Sequence, residues 1–215
     1  MKLKMIFFCT TVLLGASVFG QTRHENISFG FTGGINWNTV NGKNAIGDKL
    51  ENDLKTGFHA GLNVEIPLKN GFYLQPGLEY RQKGAEMDNG NKLTLSYIDI
   101  PVYFLYKASL RNGRVLLGFG PYVGFGMNGE VKSKDDSERK VSFSNTYSIT
   151  EAEDLQFRKL DAGANFMAGY EFRNKISVVF KTQLGLVDIN RETEIPGDKT
   201  SYRNTGFGFS LGYRL

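Results

Sequence analysis

The stretch Gly206-Phe207-Gly208-Phe209-Ser210-Leu211-Gly212-Tyr213-Arg214-Leu215 decides the fold. Successive side chains of a strand point to opposite faces. Phe207, Phe209, Leu211, Tyr213 and Leu215 therefore make one wholly apolar face. Gly206, Gly208, Ser210, Gly212 and Arg214 make a small or polar one. Such a strand suits the wall of a barrel whose outer surface meets lipid.

The pattern recurs upstream in Ile27–Trp37, Thr56–Pro67, Phe72–Lys83, Leu93–Tyr106, Val115–Met127, Leu160–Phe172 and Ile176–Ile189, which makes eight segments with the last. Each has about the 9–11 residues, or slightly more, that a tilted transmembrane strand needs. Short links at Lys69-Asn70-Gly71, Ser109 to Gly113 and Arg173-Asn174-Lys175 alternate with long polar ones around 38–54, 84–92, 131–156 and 190–203. The expected fold class is all-β, an eight-stranded antiparallel up-and-down transmembrane β-barrel spanning residues 21–215. Pro76, Pro101 and Pro121 fall inside strands, where each removes a ladder donor, so bulges or widened pairing are expected there.

Residues 1–20 read as a signal peptide: Lys2 and Lys4, an apolar run from Met5 to Leu14, then a small-residue exit to Gly20. The run falls short of the roughly 20 apolar residues of a spanning helix. Cleavage removes Cys9, the single cysteine, which excludes a disulfide, a thiol nucleophile and a cysteine-bound metal. It also leaves 24 of the 26 basic residues against 22 acidic ones, too small an excess to point to nucleic acid.

The face opposite the apolar one carries His59, Glu65, Glu79, Arg81, Asp99, Asp161, Glu171, Lys181 and Arg214. Eight strands enclose only enough room for side chains, and unpaired buried charge is costly. These groups are therefore expected to pair into a polar plug, with Arg214 facing Glu65 or Glu171. On the apolar face, Phe72, Tyr106, Phe172 and Tyr213 sit near the short links or the C-terminus. Trp37, Phe58, Tyr80, Phe125 and Phe207 sit toward the long links. Two such bands are the girdles expected at the two membrane interfaces.

Candidate chemistry is sparse. His24 and His59 are the only histidines, and no triad can be assembled from the spacing, so no enzyme is expected, nor any cofactor or metal. The loop from Lys132 to Lys140 mixes charge signs without ligand spacing and reads as solvated. Glu151-Ala152-Glu153-Asp154 reads as a hydrated rim rather than a divalent-ion site.

The run Leu95-Ser96-Tyr97-Ile98-Asp99-Ile100-Pro101-Val102-Tyr103-Phe104-Leu105-Tyr106 resembles the Tyr-x-Asp/Glu-Ile-Pro strand of the Bacteroidetes-type outer membrane β-barrel proteins, the porin or PorT family of small OmpA-like barrels. Gly118-Phe119-Gly120-Pro121-Tyr122, Leu160-Asp161-Ala162-Gly163-Ala164-Asn165, Gly169-Tyr170-Glu171-Phe172 and Gly212-Tyr213-Arg214-Leu215 carry the same resemblance. Leu215 departs from the Phe that ends many such barrels. The resemblance implies an integral protein of a Gram-negative cell outer membrane, with periplasmic termini and external long loops. Its expected partners are outer membrane lipids and lipopolysaccharide, the barrel insertion machinery through the C-terminal strand, and a protein at the long loops. The expected function is a structural or interaction role through those loops. The alternatives are a narrow porin-like channel for small solutes and a PorT-like accessory to protein secretion.

Overall fold

A computed structural model describes residues 26–143, 155–190 and 199–215. The expected leader, His24 and the run from Glu151 to Asp154 lie outside them. The wall consists of β1 (Ser28–Lys43), β2 (Lys55–Pro67), β3 (Phe72–Glu86), β4 (Lys92–Leu110), β5 (Gly113–Lys132), β8 (Leu160–Phe172), β9 (Ile176–Gly185) and β10 (Ser201–Arg214). Two short strands, β6 (Glu138–Phe143) and β7 (Leu155–Phe157), lie in the link between β5 and β8. Neighbouring wall strands are all antiparallel. β1 pairs β10 from Gly30↔Arg214 to Lys43↔Ser201, so no edge is left and the sheet is a closed eight-stranded barrel. At the β2–β3 link, Asn70 and Gly71 take φ of 56° and 81°. That left-handed geometry favours Asn and Gly in a tight hairpin.

The outward face is apolar over the middle of every wall strand. Phe31 is 51% exposed, Leu62 55%, Phe119 56% and Leu211 65%. A continuous belt of this kind far exceeds the apolar patch a water-soluble monomer shows. The inward faces hold the buried polar residues and two apolar clusters.

Several elements depart from the expected boundaries. β1 runs on to Lys43, β3 to Glu86 and β5 to Lys132, and β10 begins at Ser201 rather than Gly206. β9 ends at Gly185, short of the expected Ile189. Toward the long-loop end the two faces exchange character. On β4, Leu93, Leu95 and Tyr97 point inward and are buried, while Lys92, Thr94 and Ser96 point outward. One residue further, Ile98 points outward and Asp99 inward, and the polarity is reversed to the end of the strand. The segment from Lys132 to Lys140, expected as a solvated loop, is largely a β5–β6 hairpin with Glu130↔Lys140 and Lys132↔Glu138 paired. Its outer residues are exposed.

The prolines interrupt pairing without a bulge. Partnering lapses between Pro76↔Val102 and Glu79↔Asp99, and between Pro101↔Tyr122 and Phe104↔Phe119, and each time resumes in the same register. A missing N–H removes a bond but inserts no residue. The register shift of β4 against β5 falls elsewhere, between Ser96 and Tyr97.

Candidate functional site

The inward residues of β4 give the order of the barrel's contents. From the long-loop end they run Leu93, Leu95 and Tyr97, then Asp99, then Tyr103 and Leu105, then Lys107. Each belongs to a different layer.

At the short-link end, Lys107 Nζ bridges the lumen, donating to Glu65 Oε2 at 2.6 Å and Glu171 Oε2 at 2.8 Å. Arg214 Nη2 meets Glu65 Oε1 at 2.6 Å, Arg114 Nη2 meets Glu171 Oε1 at 2.5 Å, and Gln75 Nε2 donates to Glu65 at 3.0 Å. The ammonium of Lys107 also lies 5.1 Å from the Tyr73 ring centre. Above this layer Tyr73, Tyr103, Leu105, Leu116, Met167 and Val179 form a buried apolar cluster.

The middle layer is denser. Arg81 pairs with Glu79 and stands 3.8 Å from Asp99, and Lys181 Nζ reaches Glu79 Oε2 at 2.7 Å. Lys83 Nζ donates to Asp99 Oδ1 at 3.0 Å and Asp161 Oδ2 at 2.9 Å, 4.6 Å from the rings of both Tyr97 and Tyr122. Gln183 completes Asp99, while Tyr122 and Asn204 complete Asp161, all within 3.0 Å. Three cations thus face three carboxylates, the condition under which buried charge is tolerable. Next to them His59 Nδ1 lies 3.0 Å from Asn36 Oδ1, and His59 Nε2 lies 2.6 Å from Ser210 Oγ. Gly34, the register partner of both His59 and Ser210, leaves the two side chains free to meet across β1. The spacing is that of nucleophile, base and orienting amide. Ser210 and His59 are each only 2% exposed, so a substrate carbonyl has no approach to Ser210 Oγ in this arrangement.

The long-loop end is closed by a core of its own. Val40, Ala85, Leu93, Leu95, Val131, Val141, Phe143, Phe157 and Ile189 pack together over Tyr97. β6 and β7 supply Val141, Phe143 and Phe157 by lying across the mouth. Beside it, burial would raise the Asp188 pKa, but bonds from Ser201 at 2.6 Å and Arg203 at 3.0 Å hold the carboxyl below its ordinary value.

Of the nine expected interior residues, eight are buried and Arg214 is half-buried at the mouth. All take part in these contacts. Lys83 and Lys107, which bridge the layers' carboxylates, escaped the sequence reading. Their signal is parity: Lys83 continues the face of Glu79 and Arg81, and Lys107 that of Asp99 and Tyr103. The nine aromatics singled out all lie on the outward face. Trp37 packs on Phe207 at 5.6 Å between ring centres, Phe58 on Tyr80 at 5.6 Å, and Phe72 on Tyr106 at 4.8 Å. Phe172 stands edge-on to Tyr170, and Phe125 and Tyr213 are exposed.

Two solved structures align with this chain. Neisserial surface protein A aligns with a TM-score of 0.49 and 10% identity over 89% of this chain and 100% of that one. Ail, the attachment invasion locus protein of Yersinia pestis, aligns at 0.43 and 11% over 88% and 99%. No curated protein sequence matches the chain. Residues 19–191 match the family model for the outer membrane protein beta-barrel domain. The match spans most of the closed barrel, and the chain belongs to that family of outer membrane proteins.

Proposed function

We propose that this small outer membrane barrel acts without a through-channel, as a structural and interaction element that displays its long-loop end. The filled lumen carries the reading: two layers of ion pairs with an apolar cluster between them, beneath a second apolar core. An eight-stranded wall has room for side chains and little else. The exchange of apolar and polar faces at Tyr97 and Ile98 supports a bilayer edge at that level, with the strand extensions standing in water. On this reading lipid and lipopolysaccharide surround the belt, while partners meet the hairpin and loops above it.

Reconstituted into planar bilayers at neutral pH, the protein is expected to stay electrically silent. Stepwise current would favour the narrow channel and overturn the filled lumen. Orientation has a separate check, because cleavage of the leader removes the single cysteine. Ser137→Cys at the exposed β5–β6 turn should react with an impermeant maleimide on intact cells. Asn174→Cys at the exposed β8–β9 turn should react only after the outer membrane is opened. The opposite pattern would reverse the orientation.

A further inference from the structure

We propose that the short-link end of the lumen holds a binding site for a small free carboxylate, centred on Arg214. Three observations meet there. Among the described residues the ion-pair layer is unbalanced: Lys107, Arg114 and Arg214 pair with Glu65 and Glu171, a surplus of one positive charge. Arg214 spends Nη2 on Glu65, but its Nε and Nη1, both donors, are buried without a partner. A cavity of about 40 Å³ adjoins these atoms, with the Thr32 and Ser177 side chains in its lining. Leu116, Met167 and Val179 of the apolar cluster line it as well, and so do the paired carboxylates Glu65 and Glu171 and, from the middle layer, Lys181.

The chemistry of the donors selects the ligand. A guanidinium presents its N–H groups as a planar fork that matches a carboxylate, and hydroxyls can complete an oxyanion's remaining lone pairs. A water needs at least about 10–15 Å³ of such space, so the cavity of about 40 Å³ has room for a triatomic head group. Register builds the cradle. Gly30 pairs with both Arg214 and Asn63, so the row reads Asn63, Gly30, Arg214 across β2, β1 and β10. A Cβ on Gly30 would lie 2.6 Å from Arg214 Nη1 and 3.0 Å from Asn63 Oδ1. The missing side chain is what leaves the fork open.

Formate is the probe, added as the ¹³C-labelled salt to the full mature protein in detergent micelles. Saturable broadening of its carbon resonance is expected. Asn63→Asp, which sets a carboxylate beside the fork, should weaken binding on the order of tenfold or more through like-charge repulsion. Gly30→Ala should weaken it by displacing the guanidinium. An acidic tetrapeptide run in parallel separates a free carboxylate from a protein-borne one, and only formate should saturate. Heat-modifiable gel mobility reports whether each variant folds. Asn63→Asp adds no atom to the core and serves if Gly30→Ala does not fold. No broadening, equal affinity in the folded variants, or saturation by the peptide in place of formate would overturn the site. Conductance is irrelevant to this outcome, so failure here is distinct from failure of the filled lumen.

Discussion

Lys83→Met is expected to destabilise the barrel by about 3–5 kcal/mol, the range for breaking a buried ion pair by removing one partner. The ammonium has no exposure and is the shared partner of Asp99 and Asp161. Methionine fills a similar volume but leaves Asp161 inside the lumen with only the neutral donors Tyr122 and Asn204, and Asp99 with Gln183 and the more distant Arg81 at 3.8 Å. Urea unfolding in phospholipid vesicles measures the loss. Adding Asp161→Asn to Lys83→Met should recover most of it, because Arg81 and Lys181 then face Glu79 and Asp99, two against two, and the penalty lies in the uncompensated charge rather than in the missing lysine. A single variant within about 1 kcal/mol of the parent, the worth of an exposed pair, would show that the layer is hydrated and loosely held.

The stakes at Lys83 explain why the eight strands were legible and the layering was not. Alternation has a strict period of two, so wherever one face meets lipid and the other a polar lumen, parity alone assigns every side chain. Glu79, Arg81, Asp99 and Lys181 were placed inward by that rule, and the short and long links alternate as the closed topology requires. The strand extensions escaped because the rule inverts there. Val40 and Val131 are apolar and inward, while Thr39 and Glu130 point away. Read with one polarity throughout, such residues look like the start of a loop. The cap over the lumen was equally hidden, since Phe143, Phe157 and Ile189 are distant in sequence and converge only when β6 and β7 cross the mouth. Ion-pair partners were open for a related reason. Strand counting sets a residue's depth, but the register across the lumen, which joins Lys107 to Glu65 and Glu171, depends on how the barrel closes.

Phe119→Arg tests the other face of the same alternation, and a loss of about 2–4 kcal/mol is expected, the cost of a cation on the lipid side near the bilayer midplane. Phe119 is 56% exposed, and its register partners are Phe104 on β4 and Phe166 on β8, so the new charge would stand amid an aromatic row. Asn128→Arg is the matched control. Asn128 is also on β5 and exposed, but it lies beyond the inversion, among Glu130 and Lys132, where a cation meets water. Its effect should fall within about 0.5 kcal/mol, as for ordinary surface substitutions. Urea unfolding in vesicles reads the difference between the two. If neither variant loses more than about 0.5 kcal/mol, the apolar belt does not face lipid. If Asn128→Arg loses as much as Phe119→Arg should, the bilayer edge lies further toward the loops than Tyr97 and Ile98. Only a large loss at Phe119 with a small one at Asn128 fits a membrane that ends where the two faces of β4 change places.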